Sequence, residues 1–190
     1  MDTVEPTRWY VLRALYGKGA DVYEDLKKLS LDAFFPTHRV VQRKNSVMVM
    51  NIEPYIPSLV FVRSQKSRLE EYMLSGHGPS RYAHFYRDRI KGKTDNFKNP
   101  PLVISDRDMD SFQIICGAPK DDIRIADSSQ VNFKTGQWVR VTDGEFKGVI
   151  GRIAIWKNQT RIGVDIEGLF TVFTTYVPKA FIEPIPDYME

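Results

Sequence analysis

Three histidines, His38, His77 and His84, and one cysteine, Cys116, have the widest chemical repertoire in this chain. A metal site needs such side chains at short spacings, with further Cys, His or acidic ligands beside them. None of the three histidines has that company in sequence. Cys116 shares the apolar stripe of a helical stretch with Met109 and Phe112, where a thiol packs rather than attacks. Gly76-His-Gly-Pro79 lacks the Lys-Ser/Thr of a phosphate loop. Asp121-Asp122 lies in a polar stretch and reads as a solvated pair. No catalytic residue, metal or cofactor is therefore assigned. What remains is recognition. Arg81-Tyr-Ala-His-Phe-Tyr-Arg-Asp-Arg89 mixes cations with aromatics. Lys27 and Lys28 add two cations, for which a solvated helix face is the ordinary alternative.

Composition bounds what can carry these groups. A chain of 190 residues with 42% hydrophobic and 27% charged content is globular and fits one or two domains. No apolar run approaches the ~18 residues of a membrane span. Met1-Asp-Thr-Val-Glu-Pro lacks the basic and apolar regions of a signal peptide, and a single cysteine forms no internal disulfide. These features point to the cytoplasm. The net charge of +3 is uneven: residues 1–116 hold 18 Lys/Arg against 14 Asp/Glu, whereas residues 131–190 hold 7 against 7. A polyanion would meet the first part.

Periodicity divides the first part into β-α-β-β-β-α-β-α, an α+β sandwich. Arg8–Leu15 reads as a strand and Ala20–Leu31 as a helix with Val22, Leu26 and Leu29 inward. Phe34–Val41 and Ser46–Ile52 read as a hairpin around Arg43-Lys44-Asn45. Tyr55–Arg63 is the most apolar strand, with Pro57 at its entrance. Ser64 is a candidate N-cap for a helix over Ser67–Leu74, and Arg81–Ile90 reads as a further strand. Asn99–Ile104 is extended, and Ser105 caps a helix over Asp106–Ile115. Residues 117–130 contain Gly, Pro, Asp and Ser and only two isoleucines, and read as a linker spanning roughly 20 Å if flexible.

The last third turns to a period of two. Val139 and Val141 alternate with polar neighbours, Asp143-Gly144 supplies a turn, and Val149, Gly151, Ile153 and Ile155 resume the alternation. Ile162, Val164 and Ile166 follow, then Leu169–Thr174. Such a meander can close into a small barrel. Thr135–Trp156 resembles a KOW motif.

The order of these parts resembles the NusG family of transcription elongation factors. The matching pieces are Trp9-Tyr10-Val11, Phe35-Pro36-Thr37, Ile56–Val62, Pro101–Ser105 and the KOW segment. The resemblance implies a NusG-type α/β sandwich over 1–116, a linker over 117–130 and an SH3-like KOW barrel over 131–190. Pro57-Ser58 replaces the usual Pro-Gly, and His84-Phe85 resembles the pair of the specialised RfaH paralogue. Together these resemble the UpxY group of antiterminators tied to capsular polysaccharide operons.

What the resemblance implies functionally is binding, with no bond made or broken. An apolar groove receives the clamp coiled coil of the largest RNA polymerase subunit. The groove candidates are Tyr10, Ile56, Pro57, Leu59, Phe61, Tyr82 and Phe85; strand alternation buries about half of such a set whatever the function. Lys27, Lys28, Arg81, Arg87 and Arg89 are the candidates for the non-template DNA strand. Trp138, Phe146 and Trp156 are candidates for a KOW partner surface, which in the family meets ribosomal protein S-ten or termination factor Rho. Lys66-Ser67-Arg68 replaces the motif RfaH uses against the polymerase lobe. The location expected is the bacterial cytoplasm, at the nucleoid. The last third is poor in helix formers, so its barrel is expected to be permanent rather than refolding into helices. A housekeeping elongation factor, or a KOW-type RNA- or ribosome-binding protein without polymerase contact, are the alternatives.

Overall fold

The computed structural model describes residues 4–88, 99–118, 123–127, 137–156, 159–166 and 169–186, with backbone alone at 155–156. Two compact units divide the chain, Met1–Ser105 and Asp106–Glu190.

In the first unit β1 (Arg8–Ala14) is central. It pairs antiparallel with β5 (Leu59–Ser64) on one side and with β6 (Ala83–Phe85) and β7 (Val103–Ile104) on the other, while β2 (Asp32–Phe34) pairs with β5. Tyr10, Leu12, Val60 and Val62 form one core with Val22 and Leu26 of α1 (Gly19–Lys28) and Leu69 and Tyr72 of α2 (Lys66–Leu74). The alternate residues Trp9, Val11, Leu59 and Phe61 are buried as well. A strand covered on both faces reads as a continuous apolar run, which is why Leu59-Val-Phe-Val62 shows no alternation.

Several boundaries differ from the sequence reading, each for a local reason. The strand expected over Phe34–Val41 breaks at Phe35-Pro36, because Pro36 has no N–H for a ladder. The Pro36 carbonyl instead accepts the Tyr55 N–H at 2.9 Å. Beyond the break, β3 (Thr37–Lys44) pairs, among the described residues, only with β4 (Val47–Pro54), as a two-stranded ribbon. Its turn places both Asn45 and Ser46 at positive φ (49° and 69°), as tight hairpins require. Ser64 does not cap α2; it ends β5, and the helix starts at Lys66. The Glu5 carboxylate supplies the cap, accepting the Ser67 N–H and hydroxyl. The strand expected from Arg81 is shorter, since Gly78–Tyr82 forms a 3-10 turn and only Ala83–Phe85 pairs with β1. The Tyr72 hydroxyl donates to Asp25 at 3.0 Å, tying α2 to α1.

The second unit is built on an antiparallel six-stranded sheet. Its strands are β8 (Arg124–Ala126), β9 (Trp138–Val141), β10 (Ile150–Trp156), β11 (Gln159–Ile166), β12 (Phe170–Phe173) and β13 (Ile182–Pro184), in the order β13-β9-β10-β11-β12-β8. Among the described residues the end strands β13 and β8 do not pair with each other, so hydrogen bonds do not close the expected barrel. Helix α3 (Asp106–Gly117) packs with this unit: the Ser111 hydroxyl accepts the Ile150 N–H at 3.0 Å, and the Phe112 ring centre lies 5.4 Å from that of Phe170. The sequence reading put this helix with residues 1–116. The span read as a linker contains β8, preceded by buried Ile123 and paired to β12. Gly151 needs side-chain-free backbone, for a Cβ there would lie 2.5 Å from the Gly163 carbonyl oxygen.

Among the described residues, no helix is long and apolar enough to cross a membrane, and no group of His, Cys, Asp or Glu has the geometry to hold a metal ion.

Candidate functional site

Three segments of the first unit meet at the end of β1. The Ala14 N–H donates to the Ser58 carbonyl at 2.8 Å, and the Leu15 N–H donates to the Tyr82 carbonyl at 2.9 Å. The turn carrying Ile56 and Pro57 and the 3-10 turn carrying Arg81 and Tyr82 thus flank the β1–α1 loop. That loop is fixed by left-handed backbone at Tyr16 and Gly17 and by the Lys18 N–H donating to the Leu15 carbonyl at 3.1 Å. Gly19 lets α1 start against the Pro57 carbonyl and the Phe35 ring; a Cβ there would sit 2.2 Å from that oxygen.

The surface at this corner is aromatic and cationic. Tyr16 is 85% exposed, with its ring edge-on to Tyr82 at 6.1 Å. The Arg81 guanidinium lies 5.1 Å from the centre of the Tyr82 ring, within range of a cation–π contact. Lys18 bonds Asp21 at 2.9 Å, and that bond holds its ammonium above the ordinary lysine range. The backbone of Tyr16 sits at φ 55°, a conformation that costs a non-glycine residue energy and marks sites where geometry matters.

The structure separates the seven groove candidates. Ile56 and Tyr82 are half-buried and Pro57 is exposed at the corner. Tyr10 and Phe85 belong to the helix-side core, their rings 5.5 Å apart. Leu59 and Phe61 lie on the opposite face of the sheet and are buried. Alternation along β1 and β5 therefore prevents the seven from forming one surface. Burial lifts the Tyr10 hydroxyl above the ordinary tyrosine range, in keeping with its interior place.

The cation candidates are likewise divided. Arg81 belongs to the corner. Lys27 and Lys28 are exposed on the last turn of α1, where positive charge suits the helix dipole. Arg87 is exposed and donates to the Asn99 carbonyl at 2.9 Å, while Arg89 lies outside the described residues. In the second unit Trp138 is half-buried, with the guanidinium of Arg107 4.5 Å from its ring centre and that of Arg152 at 4.9 Å. Phe146 is buried, and the side chain of Trp156 lies outside the described residues. Ser67 of the Lys66-Ser67-Arg68 stretch is engaged by Glu5.

Sequence reasoning missed Tyr16. Its only signal was an aromatic residue beside Gly17 and Gly19 in a loop, which suits exposure but does not reveal the partner ring of Tyr82.

Residues 7–113 match a family model described as transcription termination factor nusG, more than half of the chain. The chain belongs to the NusG family. The match takes in nearly all of the first unit and most of α3. No curated protein matches the chain. NusG-family proteins are transcription factors of elongation and antitermination rather than enzymes, and they bind RNA polymerase.

Proposed function

We propose that this NusG-family chain binds the clamp coiled coil of RNA polymerase through the corner formed by Ile56, Pro57 and Tyr82. Held there, it bridges the DNA channel and suppresses pausing and termination. The observation that carries the reading is the corner itself: half-buried and exposed apolar side chains on three backbone-stapled segments, within the span matched to the family. Preorganised segments cost little ordering on binding, and an aliphatic–aromatic centre is what helix-in-groove recognition uses. The pausing effect is a population shift, bounded by the factor's differential affinity for the two polymerase states.

The exposed cations Arg81, Lys27 and Lys28, with Tyr16 beside Tyr82, are the groups we assign to the non-template strand. The first unit is proposed as the polymerase-binding part and the second unit, which carries the KOW-like segment, as the module that reaches a ribosomal or termination-factor partner in the cytoplasm. Because Phe146 is buried, that module would meet its partner through other side chains, of which the half-buried Trp138, flanked by Arg107 and Arg152, is one. Operon specificity of the capsular polysaccharide kind rests on Pro57-Ser58 and His84-Phe85.

Single-round transcription tests the reading. Adding the chain is expected to shorten pause lifetimes, and Tyr82→Ala to abolish the effect. Unchanged pausing with the native chain would refute it.

A further inference from the structure

Among the described residues, the ribbon β3–β4 is hydrogen-bonded to no other strand. Residues directly opposite in an antiparallel pair share a face. The register therefore puts Arg39 opposite Ile52, Val41 opposite Met50 and Arg43 opposite Met48 on one face. Its four apolar members are all exposed, Val41 58%, Met48 66%, Met50 63% and Ile52 72%, whereas on the other face Val47 alone is as open, at 62%, and Val49 is 36% exposed. Soluble proteins rarely leave four large apolar side chains together in water, and such a patch marks an interaction site. A two-stranded hairpin is also marginal by itself, so a partner that covers it would stabilise its fold.

Charge selects the occupant. The face carries two guanidiniums on β3 and no carboxylate, since Glu53, the one acid of the ribbon, points to the other side and accepts from Gln42 at 2.9 Å. The cations form a row on one strand and the apolar side chains dominate the other. We infer that this face docks an amphipathic helix of a partner protein, apolar side chains on Met48, Met50 and Ile52 and carboxylates along one flank facing Arg39 and Arg43. The thioethers suit this, because flexible methionines fill the irregular surface a helix presents. A DNA duplex fits less well: β4 offers it no cation. A second copy fits less well still, since pairing two such faces would bring arginines together. The inference goes beyond the polymerase-binding corner and uses none of its residues.

Titration of the labelled full-length chain tests it. The probes are a helical peptide of about 20 residues with a leucine face and one glutamate flank, and its lysine-flanked counterpart. The glutamate peptide is expected to bind at least about tenfold more tightly than the lysine peptide. Met50→Ser with Ile52→Ser should abolish binding of both. Arg39→Glu with Arg43→Glu, which keeps the apolar row, should invert the preference, so the test survives a disordered ribbon in the serine variant. Equal affinity for the two peptides, or no binding of the glutamate peptide, would overturn the inference. So would a ribbon that binds a duplex of about 20 base pairs instead, or that drives self-association in sedimentation.

Discussion

A methyl group at position 19 would collide with the chain segment that carries Ile56 and Pro57. The Cβ of Gly19→Ala would lie 2.2 Å from the Pro57 carbonyl oxygen and 3.0 Å from two ring carbons of Phe35. Comfortable contacts between heavy atoms lie near ~3.5 Å, so the helix or the turn must move by about 1 Å. The obstacle is backbone, which cannot swing aside as a side chain would. Overpacking of this kind costs about 1–3 kcal/mol. In a chain of this length each kcal/mol lowers Tm by about 2–4 °C, so a fall of roughly 2–12 °C is expected. Gly17→Ala is the matched control. Nothing lies within 4 Å of its Cβ, but φ is +69°, so it costs only left-handed backbone, about 1–2 kcal/mol. Stability alone would not separate the two, but binding would. Only Gly19→Ala displaces the Ile56–Pro57 turn, so only it should weaken polymerase binding in a titration alongside thermal melting. A Gly19→Ala chain that melts within a degree of the native protein, or that binds polymerase no worse than Gly17→Ala, would refute the reasoning.

Other expectations follow from the hydrogen bonds. Tyr72→Phe removes the hydroxyl that reaches Asp25 and should lower stability by about 1–2 kcal/mol in urea unfolding. Burial first, then the Asp25 bond, pushes the Tyr72 hydroxyl above the ordinary tyrosine range. The unfolded chain therefore releases that proton first, so stability is full below about pH 10 and declines above it, and Tyr72→Phe should flatten the decline. Hydrogen bonding by Ser67 holds the Glu5 carboxyl below the ordinary range. Its cap on α2 is therefore complete above the ordinary glutamate value and lost as pH falls through the lowered one. An NMR titration should show Glu5 moving back up in Ser67→Ala. Ser111→Ala leaves the Ile150 N–H without its acceptor and should cost about 1–3 kcal/mol, read by denaturant unfolding of the full chain. Burial pushes the Cys116 thiol up to about 12, so a thiol reagent at neutral pH should label the folded chain much more slowly than the unfolded one.

How much was legible in the sequence depended on how local the physics is. Val22 and Leu26 of the α1 stripe need only helical geometry and are buried as the pattern puts them, but the helix ends at Lys28 rather than Leu31 and leaves Leu29, expected inward, 47% exposed. The run Leu59–Val62 announced a central strand because burial on both sides removes the alternation. Val139, Val141 and the Gly144 turn followed from period two and positive φ. Non-local events were not legible. Nothing in Ser64 says that Glu5, 59 positions earlier, will cap α2 in its place. The two isoleucines at 123 and 125 looked too few for a strand, yet β12 offers an edge to which Arg124–Ala126 adds. The groove candidates were chosen as apolar residues along β1 and β5, and the pleat sent them to opposite faces. Tyr16 escaped notice because its value lies in the ring it meets, not in its spacing.

The claim that the corner is where this NusG-family chain meets RNA polymerase is tested most directly by co-purification with the polymerase, with and without Ile56→Glu. A carboxylate at the half-buried Ile56 puts charge into the desolvated centre of the contact, which costs several-fold to many-fold in affinity. The native chain should retain polymerase and Ile56→Glu should release it, with far-UV circular dichroism unchanged. Equal retention by both chains, or ribosomes retained in place of polymerase, would contradict the account.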